Sequence, residues 1–365
     1  MEKIALIDPV GAKAGMDYYD LGLSYGLNEN NVEVFLFSNF KDSKLLNNTY
    51  SVFGKFYSNK LFQAINFFIG MFRACIVCKN KNINTVILHL FSTQLMSFLS
   101  FFICKLFGLK IIVISHDVSS FASDDNSLFK NLIYKNWSSK IVVHNQFSFD
   151  ALCNSVDGVK DKLTIIKHGS FVDMPDDEIS KSVALKKLNL DPNFKYILFF
   201  GQIKKVKKLD VLLQAMADVD SATKLIVAGK VWKDNFDTYQ KIIDNHKLSD
   251  KVILDIRFIS DDKRELYFKS ADLMVLPYQE IYQSGVLLMA MSYGIPCLVS
   301  DIPPFKEIIS DQLNGFLFEC NNNKDLAQKI NSIISDDEVL KLVANQSIES
   351  MKNQYNWTKI AKCYL

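Results

Sequence analysis

Short apolar runs alternate along the chain with stretches of helical period, the pattern that βα units make around a parallel sheet. In the first half the runs cover 3–7, 32–37, 85–90, 110–115, 140–144 and 163–167. From Asp173 to Asp191 the periodicity breaks on Pro175, several acidic residues and the following Pro192. It restarts with runs at 196–200, 224–228, 251–254, 273–276, 296–300 and 315–318, and closes in helical pattern over 339–351. The chain is therefore expected to be α/β, with two Rossmann-like, doubly wound parallel-sheet domains at 1–175 and 176–352. The closing segment 353–365, which carries Trp357, is expected to cross back to the first domain.

Composition agrees with two cores. A length of 365 residues exceeds one ordinary α/β core, and 49% hydrophobic against 22% charged residues is enough apolar material for both. Lys and Arg number 42 against 40 acids, so no global field argues for nucleic acid as a partner. Seven scattered cysteines suit a reducing compartment better than a disulfide framework. The pair Cys75 and Cys78 encloses Ile76 and Val77 and reads as helix core rather than a metal or redox motif.

The start MEKIALIDPVG runs straight into a strand, which predicts no signal peptide and a cytoplasmic protein. The apolar stretch Leu95 to Phe107 is too short to span a bilayer. Lys60 to Lys79 sets Phe62, Phe67, Phe68 and Phe72 among flanking lysines. It suits a buried helix and a helix lying on the inner face of a membrane equally well.

In open α/β sheets ligands bind beyond the carboxyl ends of the strands, so the residues just after each strand carry the chemistry. After the first, Gly11 and Gly15 allow a tight loop into a helix start that can receive an anion or hydroxyl, though a plain βα turn uses glycines too. The spacing is not GxGxxG, so a nicotinamide dinucleotide is not indicated. His116 follows the run 110–115 and is placed to donate a hydrogen bond to a sugar or phosphate, with a capping role as the plainer reading. His144 and His168 end strands as well, and His89 sits inside an apolar run as a buried residue.

The second half opens with FFGQIKKVKKLD, where Gly201 and four lysines in five positions precede a helix and suit a diphosphate. Further on, Gln283, Ser284 and Gly285 lead into an apolar helix whose first N–H groups suit a phosphate. Glu307 lies just beyond the next strand. No DxD-like metal motif follows a suitable strand, and Asp124-Asp125 and Asp261-Asp262 read as loop acids.

The ordered segments GQIxxxK, RFIS, ADLMVLPY, SGVLLMAMSYGIPCLVSD and FKEII resemble the retaining glycosyltransferases of the GT-B fold known as family 4 or group 1. The resemblance implies two Rossmann-like domains facing across a cleft that binds a nucleotide-sugar donor, with no cofactor and no obligatory metal. It carries the donor diphosphate to Lys204 and Lys207, the nucleobase pocket to Arg257, Phe258 and Ile259, and contact with the transferred sugar to His116.

Where the family has Arg and, after the second lysine, Gly, this chain has Lys204 and Lys208. The family's paired glutamates fall on Ile281 and Met289, which puts the ribose contact of the second in doubt. Glu280 sits one place early. The form YQSGVLLMAMSYG is similar to enzymes of bacterial surface polysaccharides such as O-antigen or capsule, which directs attention to Gln283, Ser284 and Gly285. The implied acceptor is a saccharide or polyprenyl-linked saccharide on the first domain. Alternatives are a non-catalytic nucleotide-sugar binding subunit and another GT-B enzyme such as a sugar-nucleotide epimerase.

Overall fold

A computed structural model describes residues 2–40, 48–54, 60–118 and 126–365, so Asp124 and Asp125 lie outside the described residues. It divides into one unit of Met1–Gly169 with Tyr355–Leu365 and another of Ser170–Gln354.

The first unit runs β1 (Glu2–Ile7), α1 (Asp17–Glu29), β2 (Val32–Ser38), β3 (Thr49–Ser51), α2 (Lys60–Asn80), β4 (Thr85–Leu90), α3 (Leu95–Leu106), β5 (Lys110–Ser115), α4 (Ser127–Asn131), β6 (Ser138–Val143), α5 (Gln146–Ser155) and β7 (Leu163–Ile165). Its seven strands lie in the order β3-β2-β1-β4-β5-β6-β7, with every described pairing parallel. The strands are apolar on both faces because helices cover both, as in Ile4, Ala5, Leu6 and Ile7 of β1, all buried. β3 was not foreseen, since Thr49, Tyr50 and Ser51 form a half-exposed edge with no apolar run.

The second unit runs α6 (Lys181–Lys187), β8 (Lys195–Phe200), α7 (Leu209–Ala215), β9 (Thr223–Ala228), α8 (Asp237–Asn245), β10 (Val252–Asp255), α9 (Asp261–Ser270), β11 (Leu273–Leu276), α10 (Gly285–Ser292), β12 (Cys297–Ser300), α11 (Pro303–Lys306), β13 (Phe316–Phe318), α12 (Asn323–Ile334) and α13 (Asp337–Gln354). Its six-stranded parallel sheet has the order β10-β9-β8-β11-β12-β13. The segment RFIS, 257–260, is irregular chain: β10 has already ended at Asp255, and Ser260 is the N-cap position of α9. Asp261 and Asp262 are not loop acids but the first turn of α9, where their charge complements the helix dipole.

A last helix, α14 (Trp357–Lys362), packs in the first unit on α1. Glycines make room for it. A β-carbon on Gly22 would lie 2.3 Å from the Trp357 indole, and one on Gly26 would lie 2.3 Å from the Trp357 carbonyl. Tyr19 and Tyr364 join hydroxyls at 2.8 Å, and Asn30 Nδ2 donates to the Thr358 carbonyl at 2.8 Å. The chain changes unit at Gly169, ahead of the position 175 suggested by the proline. Gly169 is held under Trp357, whereas the Phe171 N–H donates to Ser292 Oγ at 3.0 Å within the second unit.

Candidate functional site

In both sheets the chain order reverses beside the first strand: β1 lies between β2 and β4, and β8 between β9 and β11. Ligands of doubly wound sheets bind at that reversal, beyond the carboxyl ends of the strands. The rule selects the loops after β8 and β11 in the second unit, and those after β1 and β4 in the first.

In the second unit the two loops are tied together by the Gln279 N–H donating to the Val206 carbonyl at 2.9 Å. Gly201, at φ +101°, begins the first loop, and a β-carbon there would lie 3.5 Å from Lys207 Nζ and 3.5 Å from Val286 Cγ2. The ammonium of Lys207 and the first turn of α10 are thus neighbours across a bare glycine. Lys207 is the buried member of the lysine run, its Nζ 4.7 Å from the centre of the Tyr278 ring. Burial, with Lys204 beside it, pulls its pKa down to about 7. Lys208 stands at φ +50°, a left-handed position that favours glycine, which gives a reason for the family's Gly there.

At the start of α10 the buried Ser284 accepts the Leu287 N–H at 3.2 Å as an N-cap. Gly285 faces open space: nothing lies within 4 Å of its β-carbon position. Gln283, Ile281 and Met289 are half-buried, whereas Glu280 is exposed. Glu307 is exposed at the carboxyl end of α11. Arg257 is engaged with Asp255 at 2.7 Å, Ile259 is buried, and Phe258 projects with 76% of its surface exposed.

In the first unit, four of the five histidines converge. His89 is the penultimate residue of β4, and His116, His144 and His168 follow β5, β6 and β7. The buried Tyr19 of α1 stands among them, with ring centres 5.2, 5.3, 5.8 and 4.7 Å from the four imidazoles in that order. His116 is stacked on Phe91 at 4.6 Å, and its Nε2 lies 2.8 Å from His89 Nδ1. His89 Nε2 in turn lies 2.9 Å from Asp20 Oδ1. Burial lowers all four imidazole pKa values, that of His144 to about 4 and that of His168 to about 3.

Asp8 follows β1 and accepts the N–H groups of Val10 and Gly11 at 2.8 and 2.9 Å, so these donors at the start of the loop are used internally. Burial raises the Asp8 pKa to about 7. Beside these groups lies a cavity of about 500 Å³ lined by Pro9, Val10, Phe67, His89, Phe91 and Phe101 among others. Among the described residues Asp8, Asp20 and His89 bring ligand atoms within 4.8 Å of one another, a spacing that could hold a metal ion. Both nitrogens of His89 are nevertheless committed to Asp20 and His116. His89 was expected only as a buried residue of an apolar run, and Asp20, one of several polar residues of α1, carried no signal in the sequence.

The model for "Glycosyl transferases group 1" matches residues 180–350, nearly the whole second unit. An uncharacterized glycosyltransferase of Methanocaldococcus jannaschii is 24% identical over 66% of this chain and 63% of its own length. The Escherichia coli UDP-Gal:alpha-D-GlcNAc-diphosphoundecaprenol alpha-1,3-galactosyltransferase is 31% identical over 25% of this chain and 23% of its own. The chain thus spans less than two thirds of the length of the curated relatives it matches. Anabaena HepE, solved with UDP and glucose, superposes with a TM-score of 0.75 at 17% identity, covering 100% of this chain and 98% of that one. The chain thus has the GT-B fold, and its residues 180–350 match the group 1 glycosyl transferases.

Proposed function

We propose that the protein moves a sugar from a nucleotide-sugar donor to a saccharide or polyprenyl-linked saccharide, with retention at the anomeric carbon, in surface-polysaccharide assembly. The observation that carries this reading is the buried Lys207 ammonium beside Gly201 and the first turn of α10. Two negative charges leaving the sugar need positive charge fixed in place beforehand, and Lys204, Lys207 and the N–H groups at Ser284 and Gly285 supply it. Phe258 offers an exposed ring for the base. HepE, with the same fold, is a UDP and glucose complex, and the E. coli relative is named for a diphosphoundecaprenol acceptor.

The acceptor is assigned to the first unit, and α2 to the inner face of the membrane. The segment Leu61–Asn80 is long and apolar enough to cross a bilayer by composition. Met71, Ala74, Cys75 and Cys78 are nevertheless buried, while Ile65, Ile69, Phe72 and Ile76 form an exposed stripe on the other side. Such a helix suits lying in the interface. The glutamate positions filled by Ile281 and Met289 favour a second reading, a subunit that binds the donor without turnover.

A thermal-shift panel of UDP, GDP, dTDP and CMP sugars tests the first reading, because a bound donor raises the melting temperature by mass action. One nucleotide class is expected to stabilise the wild type and not Lys207→Ala. A flat panel overturns the donor assignment, and stabilisation without transfer to any saccharide acceptor supports the second reading.

A further inference from the structure

Lys207 is buried without the carboxylate that a buried lysine ordinarily pairs with. Among the described residues its ammonium makes no hydrogen bond and no ion pair, and the group facing it is the ring of Tyr278, whose centre lies 4.7 Å from Nζ. A buried ammonium in apolar surroundings loses its hydration with nothing in exchange. A carboxylate would restore the balance, but here it would also cancel the positive charge and repel the diphosphate assigned to the site. An aromatic face does only the first, because its quadrupole attracts a cation at short range and carries no net charge to set against an anion.

The ring is held from several sides. Tyr278 follows β11 and is fully buried. Its carbonyl accepts from the Ser300 hydroxyl and, at 3.9 Å, from Cys320 Sγ, so the end of β12 and the chain after β13 grip its backbone. The next residue, Gln279, donates its N–H to the carbonyl of Val206, the neighbour of Lys207, at 2.9 Å. Phe305 of α11 packs against the ring with centres 5.6 Å apart. Tyr278 thereby joins the lysine loop to the core of the second unit. Its hydroxyl has no hydrogen-bond partner among the described residues, so the lysine is held by the face of the ring and not by the hydroxyl.

We propose that Tyr278 is a positioning residue for donor binding: its ring face steadies the charged form of Lys207 beside Gly201 and the first turn of α10, and leaves that charge uncancelled for a diphosphate. The diphosphate belongs to the function proposed above, whereas the hold of the ring on the lysine is independent of it. The other groups around Lys207 do not take this part. Lys204, on the same loop, repels it, and the first turn of α10 holds no acid. Burial pushes the Tyr278 pKa up, so its phenol stays neutral.

Fluorine weakens the quadrupole of an aromatic ring with little change of shape, which separates attraction for the charge from packing. With Tyr278→Phe as the reference, phenylalanines bearing one, two and three fluorines are placed at position 278 of the full chain. Lysine labelled with ¹³C at Cε, its Lys207 signal assigned through Lys207→Arg, follows the titration in the ligand-free protein. The wild-type midpoint is expected at about 7. Along the series it is expected to fall stepwise, by about one unit at three fluorines. Affinity for UDP and GDP, measured by calorimetry, is expected to fall with it by about tenfold above neutrality and hardly at all near pH 5, where the lysine is protonated in every variant. A midpoint that ignores fluorination, or an affinity loss of equal size at both pH values, overturns the role of the ring. A midpoint that falls in a protein binding neither nucleotide overturns the donor reading and leaves the hold of the ring on Lys207 standing.

Discussion

Gly229, at the end of β9, meets Gly201, at the end of β8, backbone to backbone: a β-carbon on Gly229 would fall 1.8 Å from the Gly201 carbonyl oxygen. The approach fixes the start of the loop that carries Lys207. Gly229→Ala is therefore expected to displace that loop, weakening UDP or its equivalent about tenfold, as a loss of ~1.4 kcal/mol would. Gly285→Ala, with nothing within 4 Å of the added carbon, is expected to leave the melting temperature within a degree or two of wild type. Calorimetric titration and thermal melts of the two variants check the contrast; equal effects would count against the loop assignment.

Lys207 gives a pH signature with two opposite signs. The unfolded side chain keeps its proton to about 10.5 and the folded one only to about 7, so between these values the unfolded chain binds more protons. This group's contribution to stability consequently rises with pH across that window. Loss of the same charge weakens the grip on a diphosphate over the same interval. Lys207→Met is expected to flatten both dependences, which melts and donor titrations on either side of neutrality measure.

Trp357 is where the tail docks. Trp357→Ala is expected to destabilise the first unit by about 3 kcal/mol, as large-to-small changes at packed aromatics do. Gly22→Ala is expected to destabilise it too, since the new methyl collides with the indole. Urea unfolding followed by hydrogen exchange on α1 reads both. Unchanged protection of α1 in Trp357→Ala would show that α14 does not hold it.

The exposed stripe of α2 predicts a separable membrane defect. Ile69→Glu with Phe72→Glu is expected to abolish co-flotation with anionic vesicles while leaving nucleotide-sugar stabilisation of the fold intact, because both side chains are exposed. Wild-type protein that fails to float would remove the membrane assignment.

The alternation of apolar runs and helical stretches was enough to place every strand but β3, because burial between two helical layers is written locally into each of the others. Strand-end logic likewise singled out Gly201, the lysine run, Ser284 and Gly285, since a βα unit puts its loop residues at one edge of the sheet whatever the details. The resemblance pointed to Lys204 and Lys207 together, but not to which lysine of the run is buried. That choice depends on the Gln279 to Val206 tie and on Tyr278 arriving from another strand.

The acid and histidine behind His116 were also decided by tertiary structure. Parallel pairing of β4 with β5 sets His89 opposite Ile114 and Leu90 opposite Ser115, which brings His89 beside the residue that follows β5. The packing of α1 then delivers Asp20 from a site 69 residues away in sequence. Local periodicity determines that a side chain is buried. Which buried groups meet is set by contacts between distant segments that no local pattern records.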